Sequence, residues 1–489
     1  MVRNLFAAAA IFAAPAAMSQ PPSPLGVSGW WRATLTHGGE SRDIWLHFHD
    51  RNGKLIAGFG NPTIGIEDTP ISAVAIKPDS VELSNLGWSL HRENDGSLTG
   101  IVPDSLIPVY KMHARFRPSR KPPLAALSRP LRRAPAPVWR QDVGAPIHGG
   151  LALDPARKRI IVATDSGRVS ALNASDGKAA WSIETATTIR AAPLIDGPSL
   201  FVSTDTTLLK LEAATGRRIW SADLGEGKGQ RLPITDPNSR YDEYASSAVV
   251  SGDSVYVGSR DGCVRRLSVA SGTLLKRFCA SDMVTATPVV DGKRVYFASF
   301  DNHVYSADID SGRIIWRHDT QGAIPRDLAI VAGRIVAGSR SFDLTALDKS
   351  TGRPAWKHYY WYSWVDSVPT TVGRTMYIGS SDSLRVFAFD NSNGHKLWET
   401  AVPGWTWAKP AVGRRTVYAA VTGTATPYMG PRAGGFAAID RSSGKLRWLL
   451  ASDKPDNAPE YGFASAPVIA NGMVYATDLT GHVMAFRDE

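Results

Sequence analysis

Ala346-Leu347-Asp348-Lys349-Ser350-Thr351-Gly352-Arg353-Pro354-Ala355-Trp356 is one copy of a phrase that returns through most of the chain. Gly followed four places later by Trp recurs at Gly177/Trp181, Gly216/Trp220, Gly312/Trp316, Gly352/Trp356, Gly394/Trp398 and Gly444/Trp448, and a further copy at Gly272 has Lys276 in the Trp position. Four residues before the Gly stand Asn173, Glu212, Asp308, Asp348, Asp390 and Asp440, with Ser268 in the copy that lacks Trp. The glycines are 39, 56, 40, 40, 42 and 50 residues apart. A period of about 40 with one aromatic anchor per unit marks a β-propeller.

The phrase is a hairpin turn. Asp, Asn, Ser and Thr hydrogen-bond their own backbone in tight turns, and Gly accepts a positive φ without a Cβ clash. A strand lies on each side, and the Trp falls on the outer one, where its ring can bury against the next blade and its N–H can find a carbonyl. One unit alone buries too little; stacked around an axis, the units share a continuous core.

At 489 residues the chain exceeds one ordinary domain, and 43% hydrophobic with 20% charged residues is a soluble globular balance. Residues 1–19 read as a secretory signal peptide: Arg3 is the basic end, Leu5 to Ala14 the apolar run, and Ala17-Met18-Ser19 the small-residue cleavage site. That run is too short to span a bilayer, no transmembrane segment follows, and no Cys stands near the cleavage site to carry a lipid. The mature chain is expected to be periplasmic or secreted.

Residues 27–117 read as a small antiparallel β domain, loosely similar to lipocalin-like domains. Trp45 to His49 alternates, Asp50 to Lys54 turns, and Leu55 to Phe59 returns. His47 and His49, with His37 nearby, share a strand face but lack a third spaced ligand, so a half-exposed strand accounts for them without a metal. Residues 118–136 form a Pro-rich basic linker. Arg115, Arg117, Arg120, Lys121, Arg129, Arg132, Arg133 and Arg140 occur before the next acid, Asp142, and nearly account for the net charge of +10. Such a stretch suits contact with an anionic polysaccharide or an acidic envelope protein, or is simply a solvated spacer. Nucleic acid is not expected, because no nucleic-acid fold is recognisable.

From residue 137 to the end the repeats read as an eight-bladed propeller. The last blade begins at Phe463-Ala464-Ser465-Ala466-Pro467 and stops at Ala485-Phe486 after three strands, and Ala136-Pro137-Val138-Trp139-Arg140 supplies its outer strand. This head-to-tail closure removes the exposed edges of an open sheet. Cys263 begins the third strand of blade 3 and Cys279 ends the fourth, so antiparallel pairing sets them side by side in the blade where Lys276 replaces Trp. A disulfide there closes a loop of about 16 residues and contributes about 3 kcal/mol.

The phrase resembles the repeat of the quinoprotein, or PQQ-binding-like, β-propeller superfamily. That superfamily includes PQQ-dependent dehydrogenases and cofactor-free relatives such as the outer-membrane assembly lipoprotein of the Bam complex. In the dehydrogenases the quinone lies on the axis beside calcium or a lanthanide, and many cover it with a disulfide between adjacent cysteines. Here the two cysteines are not adjacent, no Cys-x-x-Cys-His haem motif occurs, and the family's Glu, Asn and Asp metal ligands align with no position.

A site is expected where the blades enter the axis. Three residues before the inner-strand prolines and their equivalents stand His148, Arg190, Ala245, Thr285, Arg326, Asp366, Trp407 and Ala464, with Asp327 and Lys409 close by. Turns between second and third strands bring Asp165, Asp205, Arg260, Asp261, Asp301 and Arg340 to the same face. Aromatic clusters lead into it at Tyr241-Asp242-Glu243-Tyr244, at Tyr359 to Trp364 and at Trp405-Thr406-Trp407, and inserted loops run from Glu226 to Tyr241 and from Thr422 to Gly435. A narrow channel mouth is a costly place for unpaired charge, so the axial set is either a ligand site or a salt-bridged plug. The candidate ligand face is His148, Arg190, Tyr244, Arg326, Asp327, Asp366, Trp407 and Lys409.

Three functions follow. The first is an exported binding or scaffold propeller that recognises a polysaccharide or envelope partner through its axial face. The second, implied by the resemblance, is a PQQ-dependent dehydrogenase without its own haem, with PQQ and calcium or a lanthanide between Arg190, Asp327, Asp366 and Trp407. The third is a carbohydrate lyase or hydrolase, with His148 or Tyr244 as base and Arg190 and Arg326 neutralising a uronate.

Overall fold

The computed structural model describes residues 26–489 except 52–53, 72–73, 85, 104–110, 124–126, 186 and 427–429; the secretory reading of residues 1–19 lies outside them. Among the described residues the regular elements are strands, apart from one 3-10 turn at Pro62–Ile64. Two compact units divide at Ala126/Leu127, with Thr426–Gly430 assigned to the first.

The N-terminal unit is a nine-stranded antiparallel sheet in which strands one to four and strands five to nine each pair with their neighbours in sequence, and the first strand, Gly29–His37, also pairs with the ninth, Lys111–Ser119. Curled in this way the sheet is nearly closed, and among the described residues the open seam lies between Ile66–Ile71 and Val74–Ile76. The core is read directly from the alternation: Trp31, Ala33 and Leu35 are buried while the residues between them face outward. His47 shares a hydrogen bond of 2.8 Å with Asp68 and stacks on Trp30.

The second unit is the propeller: six four-stranded antiparallel blades, a seventh of six strands, and a four-stranded eighth made of Trp139–Asp142, His482–Arg487, Met473–Thr477 and Val468–Ala470. Trp139 stands opposite Ala485, so the expected head-to-tail closure is the observed one. Residues 127–138, in the second half of the basic Pro-rich stretch, lie along the rim. Leu131 and Arg132 donate backbone N–H groups to the Leu446 and Arg447 carbonyls at 3.0 Å, and Arg132 pairs with the Glu489 side chain.

The repeated phrase works as its chemistry dictates. Asp348 Oδ1 accepts from the backbone of Ser350 and Thr351 and from both hydroxyls, and these bonds hold its carboxyl down at about 2. Gly352 sits at φ 72°, and a Cβ there would lie 2.6 Å from the Trp316 ring of the preceding blade. Glycine is thus required twice, by backbone conformation and by the indole lying on it. Trp139, Trp181, Trp220, Trp316 and Trp398 each donate to a carbonyl in the turn of the next blade at 3.1 to 3.2 Å. In the odd copy the Lys276 stem lies over Gly312 and its ammonium reaches the Ser311 carbonyl, so a flexible apolar stem fills the indole's place. In that same blade Cys263 and Cys279 face each other in register and are joined by a disulfide. The hydrophobic clusters span neighbouring blades: Leu344 and Ala346 of blade 5 pack with Met376, Ile378, Phe387 and Phe389 of blade 6.

Candidate functional site

Each blade enters the axis through the loop before its inner strand, and those loops carry His148, Arg190, Tyr244, Arg326, Asp366 and Trp407. The turns between second and third strands, on the same face, carry Asp165, Asp205, Arg260 and Arg340. The axial residues are charged and largely buried, so each charge must be compensated by another group.

His148 is 4% exposed and has a carboxylate on each nitrogen: Asp165 Oδ2 lies 2.7 Å from Nδ1, and Glu460 Oε1 lies 2.7 Å from Nε2. Burial pushes this imidazole down, but the Glu460 and Asp165 charges outweigh it and lift it to about 9. Arg190 bridges Asp165, at 3.1 Å, and Glu243. Burial and the neighbouring Glu460 charge push the Glu243 carboxyl up. A second chain of ion pairs runs through Arg231, which grips Asp205 with two hydrogen bonds, and Asp242, which takes Arg260 at 2.5 Å. A third joins Arg340 to Asp366 at 2.8 Å, and the same guanidinium donates to the carbonyls of Arg240 and Tyr241 while lying over the Trp364 ring.

Arg326 lies 3.4 Å over the Tyr244 ring and has no ion-pair partner among the described residues. Tyr244 donates its hydroxyl to the Ala464 carbonyl at 2.8 Å, and burial raises its phenol above the ordinary range. Trp407 stacks on Trp405 with centroids 4.4 Å apart. Tyr244, Arg326, Asp366 and Trp407 meet with Tyr241 and Asp242 around a space without room for a water molecule.

The candidate residues therefore separate into two layers. His148, Arg190, Tyr244, Arg326, Asp366 and Trp407 belong to a packed plug. Asp327 and the exposed Lys409 lie elsewhere, on a cavity of about 360 Å3 lined by the inner strands of blades 4 to 6, and Asp327 also accepts the Thr287 N–H at 2.8 Å. The sequence reading did not single out Glu243, Glu460, Arg231 or Asp242 as site residues. Glu243 and Asp242 stand in a cluster noted for its rings, and Glu460 just precedes the opening of the last blade. Its bond to His148 spans 312 residues, and no local pattern reports such a partner.

PQQ does not fit this arrangement. A planar anionic quinone needs a slot with free cations, whereas Arg190, Arg340 and His148 are already held by protein carboxylates and the plug leaves no slot. The channel cavity offers Lys409, opposed by Asp327, among apolar side chains. The two groups weighed as bases are likewise committed, His148 between two carboxylates and Tyr244 to a carbonyl.

The His148 pairing carries a pH signature. A group whose folded pKa is raised from 6.5 to about 9 stabilises the fold fully below pH 6.5 and loses that contribution as pH rises through about 9. The interval corresponds to about 3 kcal/mol. Denaturation midpoints of chelator-treated protein are expected to fall between pH 6.5 and 9, and the His148→Gln variant to lack that decline; identical profiles would exclude the pairing.

The fold and its repeat define a PQQ-like β-propeller. A family model described as "Outer membrane protein assembly factor BamB" matches residues 132–316, 239–358 and 301–488, and the chain belongs to that family. No curated protein sequence matches it. Among solved structures, BamB from Moraxella catarrhalis is 20% identical with a TM-score of 0.51, covering 72% of this chain and 98% of its own. Quinohemoprotein alcohol dehydrogenase from Comamonas testosteroni is 13% identical with a TM-score of 0.53, covering 72% of this chain and 76% of its own. The computationally designed Ika8 protein is 16% identical with a TM-score of 0.54, covering 72% of this chain and 100% of its own. Likeness at these identities is one of fold. Among the described residues, no helix is long and apolar enough to cross a membrane.

Proposed function

We propose that this chain is an exported, non-catalytic propeller of the cell envelope that holds a protein partner during outer-membrane protein assembly. The membership in a family described by that role supports the reading. The observation that carries it is the plug: cations and rings that would cradle a quinone or a sugar acid are engaged with the protein's own carboxylates and rings. What the axial face offers is a rigid platform. Its inserted segment from Glu226 to Tyr241 is fixed by Arg231 on Asp205, by Arg240 on Asp282 with bonds of 2.7 and 3.1 Å, and by Arg340 on two of its carbonyls. A pre-ordered loop loses little entropy on docking, which suits protein recognition.

Purified protein mixed with PQQ and calcium or a lanthanide is expected to show no change in quinone absorbance, no thermal shift and no dye reduction with alcohols. A photo-crosslinker at Gln230, exposed on the platform, is expected to capture a discrete envelope protein in cells, and one at Asp253, exposed in a turn of the opposite face, is not. A saturable PQQ shift, or equal capture from both faces, would overturn the reading.

A further inference from the structure

The plug contains a group that ion pairing alone does not account for. His148, Glu243 and Glu460 bring one ligand atom each to within 4.8 Å of one another. As a set of salt bridges the arrangement explains both nitrogens of His148 and the Glu243 oxygen that meets Arg190. Among the described residues it leaves Glu243 Oε1 without a partner, on a side chain only 4% exposed, where an orphaned carboxylate oxygen is costly.

We propose that His148 Nε2, Glu243 and Glu460 form a binding site for a divalent transition ion with the preferences of zinc. One imidazole and two carboxylates suit such an ion, which bonds them at about 2.0–2.2 Å; calcium and magnesium seek a larger set of oxygens. Binding draws the three atoms, now within 4.8 Å of one another, inward to that range. Asp165 already occupies His148 Nδ1 at 2.7 Å, the outer hydrogen bond that orients a metal-bound imidazole and leaves Nε2 to the ion. Charge agrees. Asp165, Glu243 and Glu460 are negative, Arg190 is positive, and coordination requires a neutral imidazole, so the group offers two net negative charges to a dication. The neighbouring Arg231–Asp205 and Arg260–Asp242 pairs are balanced within themselves. Asp165, Arg190 and Glu460, with side chains 14%, 17% and 11% exposed, form the edge through which an ion enters. Three protein ligands leave one coordination position for water.

The test is titration of the full chain, purified under chelation, with zinc and separately with cobalt. Expected are one zinc per chain, a rise in the thermal midpoint that magnesium and calcium do not reproduce, and a visible cobalt spectrum of a low-coordinate site. Glu243→Gln and Glu460→Gln should each weaken zinc at least tenfold, and Asp165→Asn by about 10–100-fold. A His47→Ala/His49→Ala variant should bind as the parent does. Absence of stoichiometric zinc binding by the unmutated chain would overturn the proposal. So would zinc binding that survives Glu243→Gln and Glu460→Gln but is lost in the His47/His49 variant. The cobalt spectrum of the unmutated chain keeps the test decisive should a variant fold poorly.

Discussion

Replacing Trp448 by Ala is expected to destabilise the propeller by about 3–5 kcal/mol, the cost of emptying a large aromatic from a packed core. Trp448 is fully buried, unlike Trp181, Trp220 and Trp398, which keep part of the ring in solvent. It stands where blade 7 meets the closing blade, with ring centroids of Phe436 at 5.8 Å, Phe486 at 5.9 Å and Tyr418 at 6.1 Å. Its N–H donates to the Glu489 carboxylate at 3.3 Å, and Ala134 from the rim segment packs on the same cluster. Removing it opens the seam between blade 7 and the closing blade, beside the rim segment that leads into the head-to-tail join. Denaturant midpoints at constant slope measure the effect, with Trp448→Phe expected in between. A loss for Trp448→Ala no larger than that for Trp181→Ala would mean that the seam is not specially held.

That seam shows how far the sequence reading reaches. The phrase around Gly352 carried the blade count, the hairpin turns and the docking of each indole, because all of these are local consequences of residue type and spacing. The closure through Trp139 was legible for the same reason: a missing outer strand at one end matched a spare one at the other. The site was legible only as a list of residues facing one axis. Whether His148 is a base, a ligand or a bridged cation depends on Glu460, far away in the chain, and on Asp165, read only as one of several turn acids. In the sequence Asp327 and Lys409 group with the plug because they follow the same repeat position. One or two residues along a loop separate the plug from the cavity, and spacing does not resolve that difference. Lys276 illustrates the reverse case. It looks like a defect in the repeat, yet its stem lies on Gly312 much as an indole does elsewhere.

Asp366→Ala is expected to cost about 3–5 kcal/mol by leaving the Arg340 guanidinium without its counter-charge in a buried setting. The Asp366 side chain is 1% exposed and that of Arg340 10%, and three hydrogen bonds of 2.8 to 3.3 Å join them. The loss should fall toward the lower end of that range, since Arg340 keeps the Arg240 and Tyr241 carbonyls and the Trp364 face. Two roles then separate. If Arg340 serves only to neutralise Asp366, the double variant Arg340→Met/Asp366→Leu, which removes both charges and keeps apolar bulk, should recover nearly all of the stability. If Arg340 is also the clasp of the inserted segment, the double variant recovers global stability while amides of residues 226–241 exchange faster than in the parent chain. The structure favours the second outcome, because the guanidinium holds two carbonyls at the end of that segment at 2.6 and 2.9 Å, and nothing in a Met side chain replaces those donors. Hydrogen exchange of the double variant decides between them: unchanged protection across 226–241 would reduce Arg340 to a counter-ion and leave the platform to its other two arginines.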